Sequence, residues 1–119
     1  MILHINECVP YKAITSEGTY DVKITHVEDI PSSPEHDPGF VMTLQTKDGR
    51  MLKELIRVSE NTVKLISRIA NLVGIYKTPI DSHDFVGHYL TVHVEYFRNK
   101  YRVCGYDRCL EPFTEAVDA

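Results

Sequence analysis

Ser59-Glu-Asn-Thr-Val-Lys-Leu-Ile-Ser-Arg-Ile-Ala-Asn-Leu-Val-Gly74 is the one stretch of the chain with helical periodicity, and what flanks it decides the fold. Val63, Ile66, Ile69, Ala70 and Val73 recur at three- and four-residue spacing, while Lys64, Ser67, Arg68 and Asn71 fall elsewhere around the wheel. Ser59 is a good N-cap, Glu60 suits the first turn and Gly74 sits where a left-handed C-terminal residue belongs. The predicted helix has one apolar face to bury. It lacks the basic, aromatic-edged face of a membrane-surface helix.

Upstream of the helix the apolar period changes from 3.6 to 2. A strand opens at Gly18, with Tyr20, Val22, Ile24 and His26 alternating against Asp21, Lys23 and Thr25. After His26 the apolar phase moves to Val27, which predicts a bulge or a bend. Residues 30–39 hold three prolines and lie outside any sheet. A second strand is expected over residues 40–47, an Asp48-Gly49 hairpin turn follows, and a third strand over 51–58 returns antiparallel.

Downstream, residues 75–85 read as a connector containing Pro79. A fourth strand is expected over 86–97, a turn at Arg98-Asn99-Lys100, and a fifth strand over 101–108. Residues 2–5 suit a short extra strand. The order β-β-β-α-β-β, mainly β, is that of the five-stranded OB-fold Greek-key barrel with its one α-helix between strands 3 and 4. A sandwich wants more strands, and a ferredoxin-like fold wants a helix directly after the first strand. One domain over residues 1–110 with an acidic tail at 111–119 is expected, since 119 residues do not divide into two stable cores.

Composition narrows the functional classes. No apolar run approaches the roughly 18 residues of a membrane helix, and the first ten residues lack the basic start of a secretory signal, so a cytoplasmic protein is expected. Cys8, Cys104 and Cys109 are odd in number and form no CxxC pair, which predicts reduced thiols. The net charge of −4 is unevenly spread: all 13 Lys and Arg precede Leu110, while Glu111, Glu115 and Asp118 lie in the tail.

The residues that carry chemistry are Tyr96-Phe97-Arg98-Asn99-Lys100-Tyr101-Arg102, followed by Tyr106 and Arg108, a stretch in which Asp107 is the one acidic residue. Aromatic rings stack on the base faces that single strands expose, and adjacent cations neutralise phosphates. Arg98, Lys100 and Arg102 are the candidate phosphate ligands, with Tyr106 and either Phe97 or Tyr101 as stacking rings. Strand alternation puts Tyr101, Val103 and Gly105 on one face and Arg102, Cys104 and Tyr106 on the other, so one row belongs to the core. Lys53 and Arg57 alternate in phase with Leu55 and are expected to flank the groove. Lys23, Lys47 and Arg50 are further secondary candidates on the outer faces of strands 1 to 3, and for each of these five cations alone solvated surface is the leading alternative.

Other chemistry finds little support. His88 and His93 are five residues apart, as are Cys104 and Cys109; on strands an odd spacing sends side chains to opposite faces, so no zinc site is expected. No phosphate-binding glycine loop, HExxH motif or nucleophile elbow occurs, and no enzyme activity or cofactor is expected. The competing class is a protein-interaction module that uses the Pro-rich loop 30–39 or the tail. RNA remains an alternative ligand, because a stacking platform does not read the sugar.

With Gly18-Thr-Tyr-Asp-Val-Lys-Ile opening the first strand and Phe85-Val-Gly-His-Tyr-Leu-Thr-Val opening the fourth, the chain resembles the short single-stranded DNA-binding proteins of lactococcal bacteriophages. The resemblance covers most of the chain, through motifs that form strands. It implies an OB-fold homodimer that coats single-stranded DNA during phage DNA replication or recombination in the infected host and assists a host recombinase. It assigns no binding residue.

Overall fold

A computed structural model describes residues 12–113. Its strands are β1 (Gly18–Ile30), β2 (Gly39–Thr46), β3 (Met51–Arg57), β4 (Tyr89–Phe97) and β5 (Lys100–Arg108); the helix α1 (Val63–Val73) lies between β3 and β4. All five strands join one antiparallel sheet in the order β3-β2-β1-β4-β5. The expected extra strand at residues 2–5 lies outside the described residues, as do Cys8 and the end of the tail.

The sheet buries one face, and the alternation that creates it is regular. Val22 and Ile24 on β1, Phe40, Met42 and Leu44 on β2, and Leu90, Val92 and Val94 on β4 are buried together. The phase change read in β1 is real: its register against β2 shifts between Ile24 and His26, which returns Val27 to the core. Gly39 opens β2 where the chains run closest, since a Cβ there would lie 2.6 Å from the Ile56 carbonyl oxygen.

β3 and β5 are the two edges, and no ladder joins them among the described residues. The β3 edge has another neighbour at two points. At Met51 the chain leading into β1 pairs with it in parallel: Ile14 N–H donates to Met51 O at 2.9 Å, and Met51 N–H to Lys12 O at 2.7 Å. Further along, the Glu54 carboxylate reaches across and accepts a 3.4 Å bond from the Val103 N–H of β5.

The helix begins one turn later than its sequence suggests. Ser59 does not cap it; the Ser59 N–H donates to Thr62 Oγ1 at 2.9 Å in a preceding turn, and Thr62 is the N-cap. At the far end Gly74 takes the left-handed conformation (φ 87°), and Ile75 N–H donates back to Ala70 O at 2.8 Å. Ile69 and Ala70 face the sheet, and Arg68 ties the helix to β5 through a 3.0 Å bond to Tyr106 O.

The connector contains a short 3-10 helix, Ser82–Phe85, closed by reciprocal bonds between Asp81 and Asp84. Ser82 and His83 both reach Asp29 on β1, at 2.5 and 3.1 Å, and this holds Phe85 against Phe40 with ring centres 5.9 Å apart. The strand expected from Val86 therefore starts at Tyr89. The β2–β3 turn also differs from a two-residue Asp-Gly loop. Lys47, Asp48 and Gly49 form it, and within the turn only Gly49 has positive φ.

Candidate nucleic-acid interface

β4 and β5 are joined by two residues, not three. Arg98 (φ 50°) and Asn99 (φ 64°) both lie in the left-handed region, the geometry that matches the twist of a tight hairpin. Phe97 then faces Lys100, Tyr96 faces Tyr101 and Glu95 faces Arg102. The Tyr96 and Tyr101 rings meet at 4.9 Å, tilted by 51°. Tyr96 and Phe97 are 50% and 41% exposed, so both rings extend beyond the core toward solvent.

Phe97 gathers cations. The Arg102 guanidinium carbon stands 4.1 Å from the ring centre and that of Arg98 5.1 Å from it, both within cation–π range. Arg102 is also paired across the strands: Glu95 Oε1 lies 2.7 Å from both Nε and Nη2. The basic stretch is thus opposed by Glu95 as well as Asp107, and Arg98 and Lys100 are its exposed cations at the turn.

The alternation expected along β5 fails at Cys104. Val94 faces Val103 but His93 faces Gly105, leaving Cys104 as an extra residue opposite no partner. The phase flips there, so Tyr101, Val103 and Tyr106 turn to the core side together. Tyr106 is buried at 7% exposure and is a core residue, which corrects its reading as a stacking ring. Burial first, and the nearby Glu54 charge second, push its phenol pKa well above the usual value.

The flanking pair separates. Lys53 and Arg57 share the outer face of β3 with Leu55, as alternation requires. Lys53 is exposed there, beside Thr43 on β2. Arg57 is committed elsewhere, because its Nη1 donates to Asp37 O at 2.7 Å and anchors the Pro-rich loop. The hairpin therefore brings together Phe97, Arg98, Lys100 and Arg102, with Tyr101 on its other side, and leaves out Tyr106 and Arg57.

Sequence reasoning missed Glu95 as the partner of Arg102. A two-residue turn would have revealed it, since that register sets residues 95 and 102 opposite each other. Acidic groups elsewhere on this outer face are also engaged. Asp21 accepts from Thr91 at 2.5 Å; Asp107 contacts His93 at 2.5 Å and Arg68 at 3.7 Å. His93 in turn meets Thr19 Oγ1 at 3.0 Å.

Glu54 stands where the β3 and β5 edges approach. Burial raises its pKa above the ordinary value, with partial opposition from the Val103 N–H and the charges of Lys100 and Arg102. The folded chain holds this proton more tightly than the unfolded chain does. The stability contributed by protonated Glu54 is therefore present below the ordinary carboxylate range and lost as pH rises through the folded-state pKa. Glu54→Gln keeps a carbonyl oxygen for Val103 and carries no charge. It is expected to melt above the native chain at pH 7 and level with it near pH 4, as followed by circular dichroism; a lower midpoint at pH 7 contradicts this account.

Among the described residues no group of three or more His, Cys, Asp or Glu is arranged to hold a metal ion, and no helix is long and apolar enough to cross a membrane. No protein-family model matches the chain, and no curated protein is similar enough to count as a match.

Proposed function

We propose that this chain binds and coats single-stranded DNA with little sequence preference, as an OB-fold protein of phage DNA replication or recombination. The observation that carries the reading is the β4–β5 turn, where Phe97, Arg98, Lys100 and Arg102 gather at an exposed tip. Rings and cations side by side are what a sequence-tolerant single-strand site requires: the rings meet base faces and the cations meet phosphates.

The strand order supports the fold. In an OB-fold, strands 3 and 5 are the pair that close the barrel, and here they form the neighbouring edges bridged by Glu54 and Val103. A helix between β3 and β4 agrees with the OB-fold order, and in that fold the hairpin between strands 4 and 5 is one of the loops that frame the binding groove. A homodimer suits the reading, because two short linked grooves raise the effective concentration on one strand. Host recombinase and replication proteins are the partners to test after DNA.

The chain has no Trp, so Tyr96 and Tyr101 can report directly on binding. Titration with an oligothymidine at low salt is expected to quench tyrosine emission at protein concentrations on the order of micromolar, and added salt to reverse it. A duplex of equal length should bind more weakly. Absence of any shift or quench with single strands overturns the proposal.

A further inference from the structure

The two arginines of the hairpin differ in what surrounds them, and that difference suggests what each one contacts. Arg98 stands at the tip of the turn and is exposed. Arg102 is held by two partners: its guanidinium carbon stands 4.1 Å from the Phe97 ring centre, and Glu95 Oε1 sits 2.7 Å from both Nε and Nη2. Its side chain is still 42% exposed.

A guanidinium so paired is a poor phosphate ligand. A phosphate approaching Arg102 meets the Glu95 carboxylate beside it, and the pair is close to neutral as a unit. Ring and carboxylate together hold the guanidinium in place, while the side chain keeps part of its surface open to a ligand. Guanidinium planes, like aromatic rings, stack on unpaired bases.

We infer that Arg102 is a base-stacking plate, oriented by Phe97 and Glu95, and that the phosphates are left to Arg98 and Lys100. This inference rests on the single-strand reading above. It changes the role of Phe97 as well: its ring supports the guanidinium instead of meeting a base alone. Lysine cannot replace Arg102 in this role, because an ammonium group has the charge without the plane.

Two labelled strands of equal length separate the roles, one of oligothymidine and one an abasic deoxyribose-phosphate chain. The native protein, Arg102→Lys and Arg98→Ala are titrated with both at low salt, after their melting temperatures are shown to agree within a few degrees. Arg102→Lys is expected to lose about tenfold on oligothymidine, yet to match the native protein on the abasic strand. Arg98→Ala is expected to lose affinity equally on both. Arg102→Lys binding oligothymidine like the native chain, or losing equally on both strands, overturns the inference and leaves single-strand binding standing. Failure of the native protein to bind either strand overturns that reading, and the role of Arg102 with it.

Discussion

Replacing Phe85 with alanine is expected to lower the unfolding free energy by about 3–5 kcal/mol, the usual cost of removing a buried aromatic ring. Phe85 is 1% exposed, and its ring stacks on Phe40, itself 4% exposed. Asp29 grips Ser82 and His83 just before it, so the short 3-10 helix cannot slide inward to fill the space. Relaxation being limited, most of the cavity penalty should persist. A domain with a total stability of about 5–15 kcal/mol loses a large share of it. The thermal midpoint should fall on the order of 15 °C, and Phe85→Leu should retain most of the difference. A midpoint for Phe85→Ala within a few degrees of native would show that this end of the core packs loosely.

The second large effect concerns binding. Changing Arg98 to glycine and Lys100 to alanine together removes two cations from the hairpin tip. Each phosphate contact on a single strand contributes roughly 0.7 to the slope of log affinity against log salt, so the slope should flatten by about 1.4. Affinity for oligothymidine at low salt should fall on the order of tenfold or more. The choice of glycine separates this loss from any damage to the fold. Arg98 holds φ 50°, a conformation costing a side-chain-bearing residue about 1–2 kcal/mol, and glycine adopts it freely. The variant should melt no lower than the native chain while binding less well. An unchanged salt slope would place the phosphate contacts elsewhere on the surface.

That Arg98 occupies such a position also bears on what the sequence discloses. Tight turns advertise themselves through glycine and asparagine, and Asp48-Gly49 and Gly74 were read correctly as turn and helix end for that reason. Arg98-Asn99 carries half of the signal. The expected turn, Arg98-Asn99-Lys100, is one residue too long, and that register does not set Glu95 opposite Arg102. The strands themselves were legible wherever a buried face imposed alternation, as on β1, β2 and β4. The helix start was not: Ser59 is the cap the sequence offers, whereas Thr62 takes the N-cap position with no side-chain cap bond, its hydroxyl donating back to Arg57 O and Ser59 O instead.

The site was harder to read than the fold. Most of its candidates are neighbours on the hairpin, but their division between the outer face and the core depends on register, which single-residue chemistry does not encode. Tyr106 was misread for that reason alone. Nothing about a cysteine marks it as unpaired in a ladder. The partner of Arg57 is illegible for a different reason: it is a backbone carbonyl, and any residue at position 37 offers one.

The extra residue at Cys104 has a consequence for how the chain tolerates change. Because its side chain is exposed and its place in the ladder is vacant, neither its identity nor its presence decides which residues pair after it. A substitution there leaves the pairing alone. A deletion would close the bulge: Gly105 would follow Val103 directly and still face His93, with Tyr106 inward and Asp107 outward. The second half of β5 is therefore placed by its partners on β4, and sequences without the extra residue, aligned to this chain with no gap at position 104, would match the hairpin and be shifted by one place after it.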